Sequence, residues 1–81
     1  MSRRIRYTKQ RALLGSLITR DGLKCHWCHR ECDPKANNGS PGYPTVEHLK
    51  RQCEGGTDDP VNLVVACLKC NSGRHLPGWT P

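Results

Sequence analysis

The chain lacks phenylalanine altogether and has a single Met, two Trp and two Tyr among 81 residues, with only 35% hydrophobic residues in total. So few large apolar groups exclude a broad hydrophobic core, and the length bounds the chain to one small domain that needs some further staple. Long apolar runs are missing as well. The longest, Leu63-Val64-Val65-Ala66, is far below the ~20 residues of a bilayer span, and Met1-Ser2-Arg3-Arg4 leads into no signal-like apolar stretch. An intracellular, cytoplasmic chain is expected. Acidic residues are scarce in the first third, where Arg3, Arg4, Arg6, Lys9, Arg11, Arg20 and Lys24 face only Asp21. The remaining residues carry six basic and six acidic groups, so the whole excess of +6 lies near the N-terminus. A polyanion is the natural partner of such an arm; a merely solubilising role is the plainer alternative.

What is abundant is cysteine, six in all. In a reducing compartment these persist as thiols or metal ligands, and a disulfide framework is the minor alternative. Cys25/Cys28 and Cys67/Cys70 form two Cys-x-x-Cys pairs, a spacing that lets both thiolates of each pair reach one tetrahedral Zn²⁺. Cys32, or less readily His26 or His29, can replace one ligand. The 38 residues between the pairs exceed the roughly 15 to 20 of a simple zinc ribbon, so the insert is expected to carry the function.

Leu13, Leu14, Leu17 and Ile18 make one apolar stripe, which predicts a helix over 8–20 with Thr8 as N-cap and Asp21-Gly22 as the stop. Its cations Lys9, Arg11 and Arg20 would lie mostly off the stripe, in solvent or against phosphate. Residues 33–44 read as a loop, 45–49 and 61–66 as strands, and 67–76 as a short helix stopped by Pro77. The domain plan is a basic arm at 1–7, one domain at 8–76 and a tail at 77–81.

Within the insert and around the second pair stand, in order, Glu47-His48, Gly55-Gly56, Asn62-Leu63 and Cys67-Leu68-Lys69-Cys70-Asn71. With Arg20-Asp21-Gly22 ahead of the first pair, this series resembles the HNH nuclease family over about residues 20–75. The resemblance implies a small α+β ββα-metal fold, an N-terminal helix and a zinc knuckle with four cysteine ligands. It further implies a metal-dependent endonuclease that cuts or nicks DNA. By motif, His48 would be the general base, Glu47 and Asn71 would hold one Mg²⁺ or Mn²⁺, and Asn62 would orient His48 and brace the loop. His75, four positions after Asn71 and so on the same helical face, would be a further ligand. Arg3, Arg4, Arg6, Lys50, Arg51 and Arg74 would contact nucleic acid. No membrane and no organic cofactor is implied, and the family suggests a phage or mobile-element origin for so small a free-standing member.

Three positions depart from the family pattern. Glu47 stands where Asp is common, Lys50 where Pro is common, and Asn71 where His is frequent. Strand alternation also sends Glu47 and His48 to opposite faces unless the strand twists or ends there. Another signature, His29-x-Glu31 with Cys67-x-x-Cys70, matches zinc deaminases superficially but leaves Cys25 and Cys28 without a role. The competing functional reading is a non-catalytic zinc module that binds nucleic acid or a protein partner.

Overall fold

A computed structural model describes residues 7–37, 39–74 and 76–80, and the elements follow the order helix, strand, strand, helix. Helix α1 (Tyr7–Asp21) buries Leu17 and half-buries Leu13, Leu14 and Ile18, as its apolar stripe predicts. It begins one residue ahead of the expected start, so Thr8 lies in its first turn rather than capping it. Gly22 closes it: at φ 86° it adopts the left-handed conformation open to glycine, and its N–H reaches the Ile18 carbonyl at 2.7 Å.

After α1 the chain makes a tight knuckle. Lys24 bridges Glu31, the Cys25 N–H donates to the Arg30 carbonyl, and the His29 N–H donates to the Cys25 carbonyl. His29, at φ 64°, takes the left-handed turn position. The irregular segment that follows is fastened to the second half of the chain, since the Leu68 and Lys69 N–H groups donate to the Tyr43 and Pro41 carbonyls.

Strands β1 (Pro44–His48) and β2 (Leu63–Cys67) pair antiparallel, with Glu47 opposite Val64 and His48 opposite Leu63. All five residues of β2 are buried, and α1 and α2 (Leu68–Gly73) both pack against the two strands. Leu17, Val46, Leu63, Val65 and Ala66 form the centre, and Cys25, Cys32, Cys67 and Cys70 complete it. No described helix is long and apolar enough to cross a membrane.

The element ends differ from expectation by one to three residues. β2 starts at Leu63 rather than Val61, because Pro60–Asn62 forms a 3₁₀ turn in which the Asn62 N–H returns to the Asp59 carbonyl. β1 ends at His48 rather than Leu49. Helix α2 ends at Gly73, short of Leu76, as the chain turns with the Leu76 N–H on the Gly73 carbonyl. That early exit folds Trp79 back against the core, edge-on to Trp27 with ring centres 6.3 Å apart. Gly73 lies close beneath it, and a Cβ there would stand 3.3 Å from Trp79 Cδ1, a tight contact that the ring would have to ease by a few tenths of an ångström.

Candidate metal centre and active site

The two halves of the chain meet at four sulfurs. The Sγ atoms of Cys25, Cys28, Cys67 and Cys70 all lie within 4.8 Å of one another. Those of Cys28 and Cys67 are 3.8 Å apart, close to the edge of about 3.8 Å that a tetrahedron with ~2.3 Å Zn–S bonds requires. The knuckle supplies one pair; the end of β2 and the first turn of α2 supply the other. The His26 N–H, donating to the Val65 carbonyl at 2.8 Å, locks the knuckle to β2 and so aligns the pairs.

The surroundings also distinguish the fifth cysteine of the core. Burial tends to raise the Cys25 thiol, but backbone N–H groups of Cys28, Cys67 and Trp27 donate toward its sulfur and bring it down to about 7, favouring the thiolate. Cys32 is pushed up to about 11, first by burial and then by negative charge on Cys25, Cys67 and Cys28. It stands outside the four-sulfur group as a neutral buried thiol, and Cys53 is exposed on the far loop. The four cysteines of the two pairs are thus the set that fits zinc, without substitution by Cys32, His26 or His29.

A second group of polar side chains gathers where β1 ends. Glu47 is buried, 5% exposed, and its two oxygens are both engaged. Oε1 accepts the His48 N–H at 3.1 Å, and Oε2 accepts Arg74 Nε at 3.3 Å. Arg74 also donates to the His48 carbonyl at 3.0 Å, and its guanidinium lies 4.3 Å from the centre of the Trp27 ring. Expected among the nucleic-acid contacts, Arg74 instead turns inward and joins the zinc knuckle to β1. Its side chain is only 16% exposed.

His48 is the last residue of β1, paired across the ladder with Leu63, and it meets the Glu47 carboxylate through its backbone N–H. Its Nε2 lies 2.8 Å from Asp58 Oδ1, which also accepts Gln52 Nε2 at 3.0 Å. Asn62 bonds to the loop rather than to the ring: its Nδ2 donates to the Lys50 and Thr57 carbonyls, and its Oδ1 accepts the Lys50 N–H. Asn71, on α2, donates from Nδ2 to Thr45 Oγ1 at 2.8 Å and the Val46 carbonyl at 3.2 Å. This fastens the amide beside the residue preceding Glu47. A carboxylate and an amide oxygen are the donor chemistry of a hard divalent ion.

Lys50 is exposed and Arg51 half-buried, the latter paired with Glu54 at 3.3 Å. Arg20 stays exposed, yet its guanidinium also reaches the Pro60 and Leu63 carbonyls, each at 2.8 Å, and joins α1 to the start of β2. His75, Arg3, Arg4 and Arg6 lie outside the described residues.

Sequence reasoning missed Asp58, Gln52 and the Trp27–Arg74–Glu47 stack. Asp58 sits in Gly55-Gly56-Thr57-Asp58-Asp59-Pro60, where turn composition accounts for every residue and hides the one that reaches a histidine ten positions away.

No curated protein and no solved structure matches the chain. The HNH endonuclease family model matches residues 25–76, which span both cysteine pairs, both strands and α2. The match covers well over half of the sequence and includes the four-sulfur centre and the cluster at the end of β1. The chain belongs to the HNH endonuclease family.

Proposed function

We propose that the protein is a metal-dependent endonuclease that hydrolyses DNA phosphodiester bonds, with His48 as general base and one Mg²⁺- or Mn²⁺-class ion. The observation that carries this reading is the His48 ring, partly open to solvent at the end of β1 and directly after a buried carboxylate, inside the segment matched by the nuclease family. An imidazole suits a proton acceptor near neutral pH because its ordinary pKa is about 6.5.

In this reading His48 takes the proton of the water that attacks phosphorus. Glu47 and Asn71 would hold the divalent ion, with His75 as a further ligand. Bound there, the ion would polarise the scissile phosphate and stabilise the leaving 3′ oxygen. Lys50 and Arg51, two and three residues beyond His48, hold the flanking backbone phosphates, and Arg3, Arg4 and Arg6 of the 1–7 arm extend that grip. Asn62 keeps the 50–62 loop in place by its three bonds to Lys50 and Thr57. Arg74, already engaged with Glu47, serves to hold the carboxylate rather than the DNA. The zinc held by the four cysteines is structural, and the residues outside 8–76 act as arm and tail.

The test is cleavage of plasmid DNA by zinc-loaded protein with and without added Mg²⁺ or Mn²⁺. His48→Ala is expected to keep zinc, fold and DNA affinity while cleavage falls by ~10² or more, the usual contribution of a general base. Asn71→Ala should instead weaken the response to added metal. Parent-like cleavage by His48→Ala overturns the assignment.

One observation favours a second reading. Both Glu47 oxygens have partners, one of them a cation, which suits a zinc module that binds nucleic acid or a protein without cutting. DNA binding with no cleavage under any metal would select it.

A further inference from the structure

A neutral imidazole carries its proton on one nitrogen only, so a histidine acts as a base through whichever nitrogen is bare. Resting on the reading of His48 as general base, we propose that Asp58 is a positioning residue that fixes the proton on His48 Nε2 and leaves Nδ1 as the nitrogen that accepts the proton of water. An ionised carboxylate can only accept hydrogen bonds. With Asp58 Oδ1 at 2.8 Å from Nε2, the neutral ring is favoured in the form that has a hydrogen to offer there.

Asp58 is held in place by more than this one interaction. The same Oδ1 accepts Gln52 Nε2 at 3.0 Å, so a side chain four residues after His48 also holds this oxygen. The backbone just before Asp58 is fastened, since the Thr57 carbonyl accepts Asn62 Nδ2 at 2.7 Å. One residue earlier, the Gly56 N–H donates to the Arg51 carbonyl, and the loop there passes so close to itself that a Cβ on Gly56 would lie 1.9 Å from the Lys50 carbonyl oxygen. Only glycine allows that crossing. The Gly-Gly turn and Asn62 together deliver Asp58 to the imidazole, which gives these motif residues a chemical purpose. The His48 and Asp58 side chains are 18% and 36% exposed, so the pair is partly desolvated while the ring keeps an open side.

The arrangement divides the ring's two roles. Nε2–H is committed to Asp58, which orients the ring and stabilises the positive charge it gains on accepting a proton. The Nδ1 lone pair is left to receive that proton from water. When the proton moves, the O–H electron pair stays with the attacking oxygen and the ring becomes imidazolium, its charge offset by the carboxylate across Nε2.

The experiment uses the full, zinc-loaded chain labelled with ¹⁵N. Two-bond ¹H–¹⁵N spectra at pH 8, well above the ordinary imidazole pKa of about 6.5, report which nitrogen of His48 bears the proton. The expected result is predominantly Nε2–H in the parent. Asp58→Asn, whose amide can turn its NH₂ toward Nε2, should shift the ring toward Nδ1–H. It should lower kcat at least ~10-fold, part of the 10²–10⁴ that a general base contributes, with KM little changed. Asp58→Glu, which restores a carboxylate, should recover part of the loss.

A parent His48 that is mainly Nδ1–H overturns the inference. So does an Asp58→Asn enzyme with parental kcat when His48→Ala is inactive. If His48→Ala cleaves like the parent, the general-base reading itself has failed, a result separate from the tautomer. Should Asp58→Asn not fold, the parent spectrum decides alone, because it needs no variant.

Discussion

Removing the zinc is expected to unfold the protein rather than loosen one corner of it. Of the ten buried hydrophobic residues described, four are cysteines, and three of those are ligands in the four-sulfur group. A zinc held by these sulfurs would therefore sit within the core and not on its rim. It joins the knuckle after α1 to the junction of β2 and α2, two segments about 40 residues apart in sequence. A domain of this length has a total stability of roughly 4–12 kcal/mol at about 0.05–0.15 kcal/mol per residue. A structural zinc is worth about 10–16 kcal/mol at neutral pH. The metal term is thus as large as nearly all of the stability such a fold has in reserve, and the apo chain should have no cooperative transition. The assay combines elemental analysis with far-UV circular dichroism during chelator titration and urea unfolding. One zinc per chain, loss of the cooperative transition on chelation and recovery on adding Zn²⁺ are expected. Cys25→Ser and Cys67→Ser should behave as the apo protein, whereas Cys53→Ser should retain its zinc. Folded protein without zinc, or a Cys67→Ser variant that melts like the parent, would refute the reasoning.

The Glu47–Arg74 pair should show strong coupling. Removing Glu47 alone leaves a nearly buried guanidinium without its counter-charge, which typically costs about 3–5 kcal/mol, and the double variant Glu47→Ala/Arg74→Ala should cost less than the sum of the single changes. Urea midpoints test this, and simple additivity would contradict it. Cys32 predicts an alkaline limit: with its thiol raised from 9.0 to about 11, its contribution is complete below pH 9 and is lost as pH rises through 11. Thermal melts across that window should fall in the parent and fall less in Cys32→Ala, and alkylation at pH 8 should find exposed Cys53 well before Cys32. Deleting residues 1–7 removes Arg3, Arg4 and Arg6, and should flatten the plot of log K for DNA against log salt by about 0.9 for each phosphate the arm no longer neutralises. An unchanged slope would make the arm a solubilising segment.

By itself the sequence determined the pieces whose physics is local. The stripe of Leu13, Leu14, Leu17 and Ile18 specifies α1, and Gly22 ends it because a residue without Cβ adopts positive φ at little cost. The two Cys-x-x-Cys pairs specify the four-sulfur centre that fits zinc, because ligand spacing and thiolate chemistry are written in adjacent residues. The ordered Glu-His, Gly-Gly, Asn-Leu and Cys-x-x-Cys-Asn elements were enough to indicate the family. Only the tertiary structure decided which polar groups meet. A charged side chain chooses its partner by burial and by distances that loop crossings create, and neither is periodic in sequence. Arg20 looked like a cation left to solvent or phosphate and Arg74 like a nucleic-acid contact; the fold brings the first to the Pro60 and Leu63 carbonyls and the second to Glu47 and the Trp27 face. Asp58 looked like a turn residue until the close passage at Gly56 and the grip of Asn62 on Thr57 brought its carboxylate to His48.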